Sequence, residues 1–391
     1  MPSDQSTWLI AVPQDGDSEG LLQDIGTKLS QQSKTFSRSS IGQWSIPSFK
    51  TGTLDSLVSL SEELPKQEAV FTAVVAKIVD TLRNLLNNDP SKLSQHILVN
   101  EVPVDDYLLR EWKWNEGRYG TQRGLRDMVD VLVKELNSID NVMKAKLNSY
   151  NLAKGSLVQL QRKKTGNLSV RSLADVVAKE NFIQDSEHLQ TLLVAVPKNL
   201  TKEWTSSYER LAPMVVPRST SAVASDEDYT LFSVILFKKS HDTFVTQCRE
   251  RKYIVRDFQF SNDQLSRERE ELDMADTTEK ELWTELLRLS RTNFSEAFQI
   301  LVHLKVVRLF IESVLRYGLP ANYIGLAIKP ESKGTKRTLS LLQQHFSYLS
   351  PRSKGAGSTG PTTEEVSGEY QSLLDQEFFD FVLSEVPWIV N

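Results

Sequence analysis

The residues that could do chemistry in this chain are few and scattered. Gly355-Ala356-Gly357-Ser358-Thr359-Gly360 has the letters of a dinucleotide-binding turn. Such a turn works only between a strand and a helix whose N-terminus faces the pyrophosphate. Here Ser350-Pro351-Arg352-Ser353-Lys354 precedes it and Pro361 follows, so a loop rich in Ser, Gly, Thr and Pro is expected over 350–368. No Walker phosphate loop is present, so the chain alone is not expected to hydrolyse nucleotide. The five histidines, His96, His188, His241, His303 and His345, lack zinc-ligand spacing. Ser186-Glu187-His188 sets three reactive types side by side, but a triad needs convergence in space rather than adjacency, and a polar surface or capping role is expected. Cys248 is the only cysteine. It excludes an intramolecular disulfide and suits a reducing compartment. A structural role is expected for it, although the adjacent Arg249 could favour a thiolate. No catalytic residue, cofactor or metal site is therefore expected.

What remains is charge. Arg162-Lys163-Lys164, with Arg171, lies at the end of an expected long helix, where cations complement the helix dipole. Arg249, Arg251 and Lys252 lie at the end of a shorter helix, and Lys238-Lys239 ends a strand. These nine residues are the candidate contacts for an acidic partner surface. Nucleic acid is not the expected partner: the formal net charge is −5, and neither helix-end cluster interleaves aromatics. Trp112 and Trp114 suit core packing first and an interface anchor second.

The elements that carry these residues follow from periodicity. At 391 residues, two or more domains are the prior. A strand is expected over Trp8–Pro13 and a helix over Gln67–Asn87. Leu125, Val129, Leu132, Leu136, Ile139, Met143, Lys146, Tyr150, Ala153, Leu157 and Leu160 form a heptad seam with one charged position. That predicts a helix of about 55 Å. A second long helical stretch, 262–291, has a capping-box form at Thr278-Glu279-Lys280-Glu281 that suggests two helices meeting near Asp276. Between them, strands are expected over Thr191–Pro197, Tyr229–Phe237 and Tyr253–Phe258, helices over Lys198–Leu211 and Ser240–Arg251, and a small polar loop over Pro217–Asp228. Beyond them come a helix over Phe294–Tyr317, a strand over Tyr323–Ile328 and a last helix over Tyr370–Val386. If the long helices pair antiparallel, the chain is an α+β multidomain protein: an elongated dumbbell of two α/β bodies joined by a helical neck. The foot would comprise 1–119 with 292–391, the neck 120–165 with 262–291, and the head 166–261. No run approaches the ~20 apolar residues of a membrane span, so no direct membrane insertion is expected.

Several long segments then become recognisable. Arg162-Lys163-Lys164-Thr165-Gly166-Asn167-Leu168-Ser169-Val170-Arg171-Ser172-Leu173 resembles the C subunit of the vacuolar-type proton ATPase (V-ATPase), as do Ser186-Glu187-His188-Leu189 and Leu193-Val194-Ala195-Val196-Pro197-Lys198. Leu236-Phe237-Lys238-Lys239 and Glu312-Ser313-Val314-Leu315-Arg316-Tyr317-Gly318-Leu319-Pro320 are similar to that family too. The resemblance spans essentially the whole chain. It implies a non-catalytic, cytoplasmic stator, monomeric when free, that joins the cytosolic V1 sector of the pump to its membrane sector. The implied partners are two peripheral stalks, each an E–G heterodimer, the cytosolic N-terminal domain of the membrane-sector a-subunit and, for some members, actin. The competing expectations are a coiled-coil adaptor, whose seam would pair with another chain, and an enzyme using the Gly355 loop.

Overall fold

The computed structural model describes residues 3, 5–14, 18–32, 38–183, 186–258, 264–331, 334–349 and 379–388. The Gly355–Gly360 loop lies outside them, as does the 370–378 part of the last expected helix. The chain divides into two compact units, residues 1–145 with 286–391 and residues 146–285. Both mix helices with antiparallel sheet.

In chain order the first elements are β1 (Ser6–Pro13), α1 (Ser18–Gln32), β2 (Ile41–Ser45) and α2 (Leu54–Leu85). The Gln67 start expected for α2 is too late. The helix starts thirteen residues earlier at Leu54, capped by Thr53, whose side chain accepts from Ser56 N, and it runs through Pro65. An internal proline removes one backbone hydrogen bond. Burial of Leu57, Leu60 and Leu64 holds that first segment helical regardless. Next come α3 (Pro90–His96), the short hairpin of β3 (Leu98–Val99) and β4 (Val102–Pro103), α4 (Val104–Asp106) and α5 (Leu125–Thr165).

The second unit holds β5 (Leu189–Pro197), α6 (Thr201–Ser207), β6 (Ser221–Ser225), β7 (Tyr229–Phe237), α7 (His241–Glu250) and β8 (Ile254–Arg256). The loop expected over Pro217–Asp228 contains β6, whose small polar sequence gives no strand signal. The chain continues into α8 (Gln264–Tyr317), then β9 (Tyr323–Ile328), α9 (Thr335–His345) and β10 (Val382–Pro387). Two expectations are corrected here. The capping-box sequence at Thr278 does not divide α8, because Thr277 and Thr278 bond back to the carbonyls of Asp273 and Met274 within a continuous helix. The last described element is a strand rather than the end of a helix: Val382, Ser384 and Val386 alternate as buried positions. A buried serine at the centre of that alternation hides the period of two.

In the first unit the strand order is β10-β1-β9-β2, antiparallel throughout. Trp8, Ile10 and Val12 share one face with Ile324, Leu326 and Ile328, covered by Ile25 and Leu29 of α1 and Leu339 and Leu342 of α9. The edge strand β2 is pressed against the backbone of 107–111. A Cβ at Gly42 would sit 1.9 Å from the Leu109 carbonyl oxygen, so only glycine fits there. Beside it Trp44 stacks on Trp112 with centroids 4.3 Å apart, and its Nε1 donates to Leu108 O at 2.6 Å. Trp112 is thus a core residue. In the same core, Lys305 of α8 is 1% exposed and bonds to Glu68 of α2 and to the Glu385 carbonyl of β10. Arg308 bonds the second Glu68 oxygen at 2.8 Å.

In the second unit the order is β6-β7-β5-β8, also antiparallel. Alternation along β5 and β7 makes two apolar faces. Val194, Val196, Phe232, Val234 and Leu236 pack with Trp204, Phe244 and Cys248 from the helices. Leu193, Ala195 and Leu231 pack with Leu168, Leu173 and Val177 from the irregular segment after α5. Most of the α5 seam is buried inside the chain, with Ile139, Lys146, Ala153 and Leu160 half-buried. Tyr150 and Leu157 are each 8% exposed, and Lys146, its one charged position, pairs with Glu285 of α8 at 2.6 Å.

Candidate partner-contact surfaces

The nine basic candidates fall on three separate places of the second unit. Arg162, Lys163 and Lys164 are exposed on the last turn of α5. That turn ends at Gly166, whose N–H donates to Arg162 O at 2.9 Å; a Cβ there would lie 2.5 Å from the same oxygen. Ser172 N donates to Lys163 O, folding the following segment back on the helix end. Lys163 and Lys164 line a small groove of about 170 Å³ with Ser172, Asp175, Glu268 and Leu272. Arg171 is half-buried and pairs with Asp175 at 2.8 Å.

Two residues outside the candidate set hold this turn to the sheet. Arg256 donates to the carbonyls of Leu168 and Arg171, both at 2.7 Å, and burial lowers the pKa of its guanidinium. Asp226 accepts from the backbone N–H groups of Leu168, Asp228 and Tyr229. Burial alone would raise its carboxyl, but these donors outweigh that and hold it below the ordinary range. The sequence marks neither residue, because an isolated Arg or Asp carries no period.

Lys238 and Lys239 sit in the turn between β7 and α7, beside the Leu189 end of β5. Lys238 N donates to His188 O at 2.9 Å and its Nζ to Ser186 O at 2.8 Å. Ser186, one of the three residues expected to have a polar surface or capping role, accepts at its Oγ from Leu189 N at 3.0 Å, at the start of β5. Arg249, Arg251 and Lys252 are exposed at the other end of α7, and Lys252 adopts the left-handed conformation at φ 65°. The antiparallel register pairs Leu189 with Phe237 and Ala195 with Ile254, so these two groups occupy opposite ends of β5. The structure brings together Arg162, Lys163, Lys164 and Arg171, and keeps the other two clusters apart. Cys248 is wholly buried, and burial pushes its thiol up to about 12, so the neighbouring arginines do not activate it. Among the described residues no group of three His, Cys, Asp or Glu could hold a metal ion, and no helix is long and apolar enough to cross a membrane.

What the fold presents is cationic surface at helix and strand ends of the second of two mixed α+β units. Comparison with known proteins supplies the family. The family model for the V-ATPase C subunit matches residues 7–382. The chain is 37% identical over 380 residues to the V-type proton ATPase C subunit 1-A of Danio rerio, covering 97% of each chain. It is 36% identical, again covering 97% of each chain, to the V-type proton ATPase C subunit 1 of Xenopus tropicalis and of Bos taurus. The chain belongs to the V-ATPase C-subunit family. Among solved structures, the cytoplasmic N-terminal domain of the V-ATPase I-subunit, homolog of the a-subunit, aligns over 87% of this chain and 97% of that one, at 13% identity and a TM-score of 0.35.

Proposed function

We propose that this protein is the non-catalytic stator of a vacuolar-type proton pump. It links the E–G peripheral stalks to the cytosolic domain of the membrane-sector a-subunit, and so serves reversible assembly of the ATP-hydrolysing sector on the membrane sector. The observation that carries this is the whole-chain match to the C-subunit family over residues 7–382. In this reading the protein is an elongated dumbbell: a foot of 1–119 with 292–391, a neck of 120–165 with 262–291 and a head of 166–261. It works at the cytosolic face of acidified membranes, with actin as a further partner. Burial of the α5 seam against the chain itself speaks against the coiled-coil adaptor, which needs that seam free. Two modest contacts are enough for firm attachment, because the first raises the effective concentration of the second.

The test is calorimetric titration of the full chain with an E–G heterodimer, repeated with Arg162→Glu/Lys163→Glu/Lys164→Glu and with Lys238→Glu/Lys239→Glu. Binding that falls at least tenfold in one variant and weakens with salt supports the reading and assigns the contact. An absence of binding by the unaltered chain would sink it.

A further inference from the structure

The hairpin that joins β6 to β7 carries a sequence outside the basic clusters. Ser225, the last residue of β6, is followed by Asp226, Glu227 and Asp228, so one hydroxyl precedes three consecutive carboxylates. A protein kinase with a cationic substrate groove selects such a serine, because carboxylates just beyond the acceptor complement the groove.

Spacing alone is a weak signal, and the structure sorts it. Ser172 and Thr278 also have a carboxylate three residues on, at Asp175 and Glu281. Ser172 is half-buried and its Oγ donates to Glu268, while Thr278 Oγ1 donates to Met274 O inside α8. Neither hydroxyl is presented on extended backbone. Ser225 is: it ends a strand at the edge of its sheet, it is exposed, and its Oγ lies 3.2 Å from Thr230 Oγ1 across the hairpin. Glu227 and Asp228 are exposed with it, and Asp226 is half-buried.

The same turn ties parts of the second unit together. Asp226 accepts from Leu168 N, in the segment after α5, and Asp228 O accepts from Lys198 N at 3.0 Å. A phosphate on Ser225 adds roughly two negative charges at neutral pH. It does so at the residue next to Asp226, a carboxylate already sustained by three backbone N–H groups. Like charges this close repel, and the Asp226–Leu168 bond is the contact placed to yield.

We propose that Ser225 is the phosphoacceptor of an acidophilic protein kinase, and that its phosphate loosens the Asp226–Leu168 bond that holds the segment after α5 to the sheet. In the transfer, Ser225 Oγ attacks the γ-phosphorus of ATP. The new O–P bond replaces the bond to the β,γ-bridging oxygen, ADP leaves, and the hydroxyl proton passes to the catalytic aspartate of the kinase. The loosened segment follows directly on Arg162, Lys163 and Lys164 and contains Arg171, so the modification alters how that cluster is held without touching it. The assignment is independent of the pump reading, since the E–G titration and the experiment below can fail separately.

The test incubates the full chain with magnesium-ATP and casein kinase II. Mass spectrometry of the digest should place the phosphate on Ser225. Ser225→Ala should abolish it and Asp228→Asn should slow it at least tenfold, with the melting temperature of both variants unchanged. Amide exchange at Leu168 should be at least tenfold faster in the phosphorylated chain, less so in high salt, and phosphatase should restore the slow rate. A synthetic peptide of residues 219–232 serves as reference. If the kinase modifies the peptide but not the folded chain, the turn conceals the hydroxyl and the proposal fails. It fails too if Asp228→Asn is modified as fast as the unaltered chain, or if exchange at Leu168 does not change.

Discussion

His303 offers the sharpest quantitative test of how this fold handles a buried titratable group. It lies on α8, 2% exposed, ringed by Trp112, Trp114 and Tyr119 at centroid distances of 6.0, 4.8 and 5.0 Å. Its Nε2 accepts from Asn115 N at 3.2 Å, so its Nδ1 must carry the proton and donate to Gln299 O at 2.7 Å. Both bonds suit a neutral imidazole. Burial, with Arg118 also nearby, lowers its pKa from 6.5 to about 4. In the unfolded chain the same side chain takes up a proton near 6.5. The folded state is therefore fully favoured above that pH, and the advantage is lost as pH falls from about 6.5 to about 4. At about 1.36 kcal/mol per pH unit, the gap amounts to ~3 kcal/mol. Urea unfolding of the unaltered protein and of His303→Phe, at half-unit steps between pH 7 and 4, isolates this contribution. The variant should be less stable at pH 7 by about 1–3 kcal/mol, from the lost hydrogen bonds. Its stability should fall less steeply with acid, so that the two curves converge toward pH 4. Nitrogen-proton correlation spectra should show the Nδ1–H tautomer of His303 persisting at pH 5.5. Parallel curves, or a His303 signal titrating near 6.5, would refute the reasoning.

Three further outcomes follow from the cores. Lys305→Met strands Glu68 in the interior with only Arg308, and should cost about 3–5 kcal/mol in urea unfolding; Lys305→Met/Glu68→Leu should recover most of it, and a single-variant loss below about 1 kcal/mol would contradict the buried pair. Gly42→Ala drives a methyl group into the Leu109 carbonyl, so β2 must shift; a loss of at least about 1–3 kcal/mol is expected, and an unchanged melting temperature would show that the edge strand can move freely. With its thiol pushed up to about 12, Cys248 is a thiolate in roughly one molecule in ten thousand at pH 8, so Ellman's reagent should react with it only as fast as the second unit opens, and fast labelling of the folded protein would contradict its burial.

How much of this was legible beforehand depends on what carries each signal. The seam of α5 is readable because apolar side chains repeat at a fixed period, and the strands β1, β5, β7 and β9 because they are apolar runs of strand length; the structure buries most of those side chains. Elements whose burial is shared with polar residues are not readable. α1 and α9 each cover a sheet with a few leucines or isoleucines set among Gln, Lys and Ser, and β10 buries Ser384 as one of its inward positions. The part of α2 before Gln67 is not readable from the repeat of Phe71–Leu86, and burial of Leu57, Leu60 and Leu64 holds it helical through Pro65. Of the candidate contacts, Arg162, Lys163, Lys164 and Arg171 are neighbours in sequence and remain together in space.

The place of β1 in its sheet has a consequence for how the molecule is made. β1 is made some three hundred residues ahead of its neighbours, for β9 and β10 both lie beyond residue 322. At about 5–20 residues per second, Ser-Thr-Trp-Leu-Ile-Ala-Val-Pro waits roughly 15–60 s with both edges bare. The whole second unit, residues 146–285, emerges during that interval and can close its own sheet from consecutive chain. The nascent protein therefore holds one finished unit while the other is unfinished, and β1 stays open to chaperones until β9 and β10 have been made. Message truncated before β9 would yield a sticky fragment rather than a smaller stable protein.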